Sequence, residues 1–235
     1  MHLGLATAVV LGPSNYLWIS LVAYFWFASI GNSVGQHRYF AHKTFKTSKL
    51  WERILIATLA SVSSVFGYIV THREHHKHTD DGLDPHSPHH MSTLRSWTLD
   101  LTDTGRWDLR NAKDWIKNKD VMNAHKYFFA YILIYVIILA LIDPMLVVYG
   151  YLVPASLCVW ATGAFNTWGH GHGLKSLGYR TWETKDKSVN HHLVNLITFG
   201  EGWHNNHHNN PGAWHQGEKW WEWDLNAWII RLIKQ

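Results

Sequence analysis

"YLWISLVAYFWFASIGNSVG" (Tyr16–Gly35) runs for twenty residues without an Asp, Glu, Lys or Arg. At 1.5 Å per residue, a helix of that length crosses the hydrocarbon core of a bilayer. The chain then passes directly into "QHRYFAH" (36–42), so a polar, histidine-bearing segment lies at one end of the span. Two further uncharged runs, 127–142 and 145–165, flank Asp143–Pro144 and read as a helix that crosses the membrane and returns. A run at 3–11 is too short to span alone and reads as a truncated or tilted first helix. The expected fold class is an all-α membrane protein with about four transmembrane helices in two hairpins, the first hairpin short.

Charge placement gives the orientation. The turns "GPSN" (12–15) and "DPM" (143–145) contain no Lys or Arg, whereas 36–53 and 71–126 contain many, among them Arg38, Lys43, Lys49, Arg53, Arg73 and Lys77. Positive residues stay on the cytoplasmic side, so the histidine-rich segments are expected there. The apolar run 54–70 carries basic residues and histidines at both ends. It cannot cross if those histidines share one site, and reads as a single interfacial helix.

The chain of 235 residues is long enough for one large domain, and a single domain over 1–235 is expected. There are nineteen histidines and fifteen tryptophans. The formal charge is +4 with neutral histidines, yet no compact Lys/Arg cluster points to nucleic acid. Cys158, the one cysteine, lies in an apolar run. It excludes an intramolecular disulfide, an iron–sulfur cluster held by cysteines and a thiolate zinc site, and reads as a small core residue. The N-terminus lacks the basic flank and cleavage site of a secretory signal.

The histidines fall into clusters. His37 and His42 stand five apart; His72, His75 and His76 form "HREHH"; His204, His207 and His208 form "HNNHH". The last two share the spacing i, i+3, i+4, which puts three imidazoles on one helical face. Each turn is expected to offer its three rings to one point in space, and two such turns facing each other offer six. Asn166 and His170 add a pair at i, i+4. So many imidazoles exceed the needs of one ion and suit two ions with open positions. Imidazole without thiolate suits iron, zinc, copper or nickel rather than magnesium or calcium.

These residues resemble the membrane fatty-acid desaturases of the acyl-CoA and acyl-lipid delta-9 type. "GQHRYFAHKTFKT" resembles the first histidine box, "THREHHKHTDDGLDPH" the second, "FGEGWHNNHHNNP" the third, and "FNTWGHG" the Asn-x-x-x-His element, in order over about residues 16–215. The chain departs from the pattern after "DPHSP", where it reads "HHMSTLRSW", and at "SVNHH" before the third box. The resemblance implies two iron ions in a cytosolic helical cap, with O₂ as co-substrate, and a cis double bond placed in a long-chain acyl thioester or acyl lipid. It implies His37, His42, His72, His75, His76, His170, His204, His207 and His208 as ligands, with Asn166 acting through water. Glu74, Asp80, Asp84 and Glu201 are then expected to orient ligand rings, and Asn205, Asn206, Asn209 and Asn210 to cap helices or hydrogen-bond behind the ligands. Tyr24 and Phe27 are expected to close the far end of an acyl tunnel.

The chemistry agrees with the resemblance. An unactivated methylene has no acidic proton and no leaving group, so an oxidising metal centre is needed. The chain has neither a Gly-x-Gly-x-x-Gly loop nor a His-Pro-Gly-Gly haem motif, which implies an external electron donor, a ferredoxin or a b-type cytochrome. Two other readings share some features: a histidine-box hydroxylase or alkane monooxygenase, and a non-catalytic membrane metal-binding protein.

Overall fold

A computed structural model describes residues 6–7, 15–58, 63–98, 108–174 and 177–235. The chain is mostly helical. Helix α1 spans Leu17–Ala41. It is followed by α2 (Lys49–Ala57), α3 (Val65–His78), α4 (Thr93–Thr98), a 3₁₀ turn at Leu109–Ala112, α5 (Lys119–Lys126) and α6 (Phe128–Ile142). Helix α7 covers Pro144–Trp168. Strands β1 (Gly178–Tyr179) and β2 (Asn190–His191) pair antiparallel, and α8 (His192–Thr198), α9 (His204–Asn209) and α10 (Leu225–Ile233) follow.

Side-chain caps set the helix starts. The hydroxyls of Ser48 and Ser64 accept from the N–H groups of Trp51 and Gly67. The Asn118 amide oxygen accepts from Asp120 and Val121 N–H, and the carboxylates of Asp143 and Asp224 accept from Met145 and Ala227 N–H. Each cap satisfies a donor that the helix itself leaves open. Ser64 has a further consequence. The expected single helix over 54–70 is instead two: α2 ends at Ala57, and Ser64 caps the start of α3. Residues 59–62 lie outside the described residues, as does all of the run 3–11 except Ala6 and Thr7.

Among the described residues, α1 and α7 are long and apolar enough to cross a membrane, and α5 with α6 makes a third such unit bent by 71°. Helix α6 buries none of its residues although it is apolar on every side. Such a surface suits contact with lipid or with another apolar surface. Leu17, Trp18, Leu21 and Val22 of α1 are likewise exposed. Inside this layer Ser20 Oγ donates to Tyr149 O at 2.7 Å, tying α1 to α7.

From Trp26 onward α1 is wound as a π-helix, a form that occurs in short stretches and clusters at functional sites. This half is buried. One core cluster joins Val34 and Phe40 of α1 to Leu55, Ile69, Trp115, Val121 and Ile230. A second, deeper cluster joins Phe27 and Ala28 to Tyr151, Ala155 and Cys158 of α7. Cys158, the one cysteine of the chain, is buried there.

Candidate metal centre

The nine histidines of the sequence expectation come together, and they do so as two groups. His37, His42, His72, His76 and His207 form one; His75, His170, His204 and His208 form the other. Within each group the ligand atoms lie within 4.8 Å of one another. The two "HxxHH" turns therefore do not each serve one point. His72 and His76, four apart, share a face of α3, and His75 is turned to the second group. In α9 His204 and His208 share the second group and His207 turns to the first. The i, i+4 pair stacks along a helix, while the residue between is rotated off that line, so each turn is split between the groups.

His42 caps the end of α1, and its backbone N–H donates to His37 O at 3.1 Å. This i→i+5 bond belongs to the π winding and brings residues five apart towards one face. Regular α-helical winding would separate them. His170 lies two residues past α7, and Asn166, one turn earlier, is buried beside it.

The ring nitrogens face one another. His42 and His72 Nε2 are 2.8 Å apart, His37 and His207 Nε2 3.1 Å, and His76 Nε2 lies 3.1 Å from both His72 and His207 Nε2. In the second group His204 Nε2 is 2.8 Å from His170 Nε2 and 3.0 Å from His208 Nε2. The opposite ring edges are held by carboxylates. His37 Nδ1 is 2.5 Å from Glu201, His75 Nδ1 2.9 Å from Asp84, His170 Nδ1 3.2 Å from Asp80 and His208 Nδ1 3.3 Å from Asp186.

An Nδ1 proton held on a carboxylate leaves a lone pair at Nε2. In the second group the Nε2 lone pairs of both His170 and His208 point at His204, which has one proton at most to share with them. The donor set fits a cation between the rings, and the carboxylate–histidine pairs are those that orient ligand imidazoles.

The electrostatics follow from burial. Burial first, and then neighbouring imidazoles, hold His42, His72, His76, His204 and His207 well below the usual imidazole range. His208 is lowered to about 4, mainly by burial. These rings are therefore neutral at pH 7, the form that binds metal. Burial opposes ionisation of Asp84, Asp186 and Glu201. Their histidine partners, joined at Glu201 by Arg38, nonetheless keep all three carboxyls below the ordinary carboxylate range.

Three of the four acidic residues expected behind the rings are found there: Asp80, Asp84 and Glu201. Glu74 is not. It receives a hydrogen bond from Asn111 and lies near Lys77 and His78. Asp186 was not foreseen, because it lies in the polar loop "ETKDKS" with no spacing that links it to His208. In the sequence Arg38 reads only as one of the basic residues that give the orientation. It is buried and donates to Glu201 and Asp224 at 2.8 Å each. Asn205 Oδ1 accepts from the Thr181 and Trp182 N–H groups, and Asn206 donates to Glu222. These two brace the loops behind α9 rather than cap it, and Asn209 and Asn210 are exposed.

A cavity of about 190 Å³ reaches from His37, His72 and Asn166 down to Ala28 and Cys158. Tyr24 and Phe27 do not line it. Tyr24 Oη donates to Ile197 O at 2.5 Å, and Phe27 packs edge-on to Tyr135 and Tyr151. Both belong to the cluster whose Ala28 and Cys158 form the deep wall.

Residues 13–228 match the family model described as fatty acid desaturase. The chain belongs to the fatty acid desaturase family. The desaturase is 31% identical to the sn-1 stearoyl-lipid 9-desaturase of Anabaena variabilis, over 100% of this chain and 87% of that protein. It is 32% identical to the delta-9 acyl-lipid desaturase 2 of Arabidopsis thaliana, over 96% and 75%. The acyl-CoA C20 delta5-desaturase of Anemone leveillei is 30% identical, over 98% and 76%. The desaturase is accordingly an oxidoreductase acting on fatty acyl chains.

Proposed function

We propose that this desaturase is O₂-dependent and places a cis double bond at carbon 9 of a long-chain acyl group carried on a lipid or as a thioester. The observation that carries this reading is the assembly of nine imidazoles, on six buried and three half-buried histidines, into groups of five and four with Nε2 edges inward. In the proposal these rings hold two iron ions, with Asn166 adding a water-mediated contact at the second group. Iron held there would activate O₂, the oxidant that an unactivated methylene requires, with the two further electrons coming from the external donor. Position 9 rests on the printed names of the Anabaena and Arabidopsis relatives; the Anemone relative is named for position 5.

The protein's own residues do the rest. Glu201, Asp84, Asp80 and Asp186 fix the Nδ1 protons of four rings and so aim their Nε2 lone pairs. The cavity holds the acyl chain in line beside His37 and His72, and its closed deep end keeps water from the reacting carbons. Tyr24 and Phe27 back that end wall, and shortening either to Ala lets longer chains react. We read α1, α6 and α7 as spans, and place the histidines on the cytoplasmic side by the Lys/Arg distribution. A ferredoxin or b-type cytochrome then docks on this basic face, steered by charge.

Expression in a host that makes no unsaturated lipids, followed by mass spectrometry of its lipids, tests the proposal. The expected result is a new cis olefin and about two irons per chain, as the two histidine groups require. Absence of any olefin with iron and reductant supplied overturns it. An alcohol in place of the olefin assigns the protein to hydroxylation.

A further inference from the structure

The cavity beneath the histidines has a mostly apolar surface that polar side chains interrupt. Its apolar walls are Ala28, Pro85, Met91, Cys158, Ala161 and Phe165; every other lining residue carries a hydroxyl, amide, imidazole, guanidinium or carboxylate group. Several of those polar groups are already engaged. Thr71 Oγ1 donates to Gly67 O at 3.1 Å, Thr162 Oγ1 to Cys158 O at 2.9 Å and Thr198 Oγ1 to Val194 O at 2.6 Å. Ser33 donates to Glu201.

Two are not engaged. Asn32 Oδ1 and Ser96 Oγ border the same cavity, are buried and have no hydrogen-bond partner. Ser96 is 3% exposed. Asn32 stands within the apolar span of α1, four residues after Ala28 and five before His37. A polar side chain there is costly to fold into a membrane helix and marks a ligand path. Ser96 reaches the cavity from the other side. Helix α4 packs on α7 so closely that a Cβ at Gly163 would lie 2.9 Å from Trp97 Cα. Ser96, the neighbour of Trp97, is thereby held against the middle of α7, between Cys158 and Asn166.

We infer that the acyl chain taken by this cavity carries a hydroxyl group, set beyond the reacting carbons on the side away from the histidines. The hydroxyl donates to Asn32 Oδ1 and accepts from Ser96 Oγ–H. An amide oxygen only accepts, a serine hydroxyl donates, and a hydroxyl is the smallest substituent that answers both. A methylene chain in the same place leaves two buried polar atoms unpaired, and a keto group answers only Ser96. Asn32 precedes His37 by five residues, about one turn of the π-wound part of α1, which sets the hydroxyl several carbons past the new double bond. This inference rests on the reading of the protein as an acyl desaturase.

The test uses the full-length protein in lipid nanodiscs, with matched stearoyl chains that are plain or carry one hydroxyl at a carbon from 12 to 16. Two measurements are made: KM with the iron-loaded, reductant-coupled enzyme, and the shift in unfolding temperature of the metal-free protein with each chain. The expected result is that at least one hydroxylated chain has a KM about tenfold lower and gives the larger thermal shift. Asn32→Leu and Ser96→Ala each abolish that preference, and Asn32→Leu improves use of the plain chain. Should Asn32→Leu not fold, Ser96→Ala and the wild-type comparison carry the test. Equal KM and equal shifts across the series overturn the inference and assign the two groups to water, while olefin from the plain chain leaves desaturation standing. A retained thermal preference with no olefin from any chain upholds the cavity assignment and removes the desaturation reading.

Discussion

Glu201 is the residue that anchors His37 of the first histidine group. Its carboxylate receives Arg38 Nε and Gln216 Nε2 at 2.8 and 2.9 Å and holds His37 Nδ1 at 2.5 Å. Glu201→Gln keeps the shape but loses the charge that fixes the imidazole tautomer. Metal retained after dialysis against a chelator is expected to show affinity down by about 10–100-fold. Asp186→Asn is expected to weaken the second group by a comparable factor through His208. Glu74→Gln is the control: Glu74 touches neither group, and metal content is expected to stay at the wild-type level. Gly202 acts through shape alone. A Cβ there would overlap the Asn195 backbone, so Gly202→Ala is expected to destabilise the protein by more than about 2 kcal/mol, read as a fall in unfolding temperature.

At the scale of elements, three segments far apart in sequence are fastened to each other by buried charge. Arg38 extends from α1 to Glu201, before α9, and to Asp224, the cap of α10, and is itself 1% exposed. Removing one partner of such a set strands the others in a low-dielectric interior. Arg38→Met is therefore expected to cost about 3–5 kcal/mol, measured by thermal unfolding in detergent, with loss of bound metal as a consequence. The histidine boxes and the long helices could be read from spacing and from the absence of charge. The break between α2 and α3 could not, because the side chain of Ser64 caps a new helix inside a run that reads as largely apolar. The split of each "HxxHH" turn between two groups was equally hidden. It depends on the angle at which α3 and α9 face each other, and neither local sequence encodes that angle.

Over the whole molecule, nine imidazoles share one buried region, and this gives stability a direction with pH. His72, His76, His204 and His207 are held well below the ordinary imidazole value by burial and by one another, and His208 is lowered to about 4. In the unfolded chain they titrate near 6.5. Between the two values the unfolded state binds more protons, so stability is full above about 6.5 and is lost as the pH falls towards the folded values. Unfolding temperatures of the metal-free protein at pH 7.5, 6.0 and 5.0 are expected to fall in that order. An unchanged temperature would mean that the rings are open to water. The sequence by itself determined the helical class, the long apolar helices and the identity of the nine clustered histidines, because charge-free length and box spacing are local properties. Only the tertiary structure decided which histidine joins which group, that Asp186 rather than Glu74 stands behind a ring, and that Asn32 and Ser96 border the same cavity. Those outcomes follow from how helices distant in the chain pack, and packing is settled by the whole set of contacts at once.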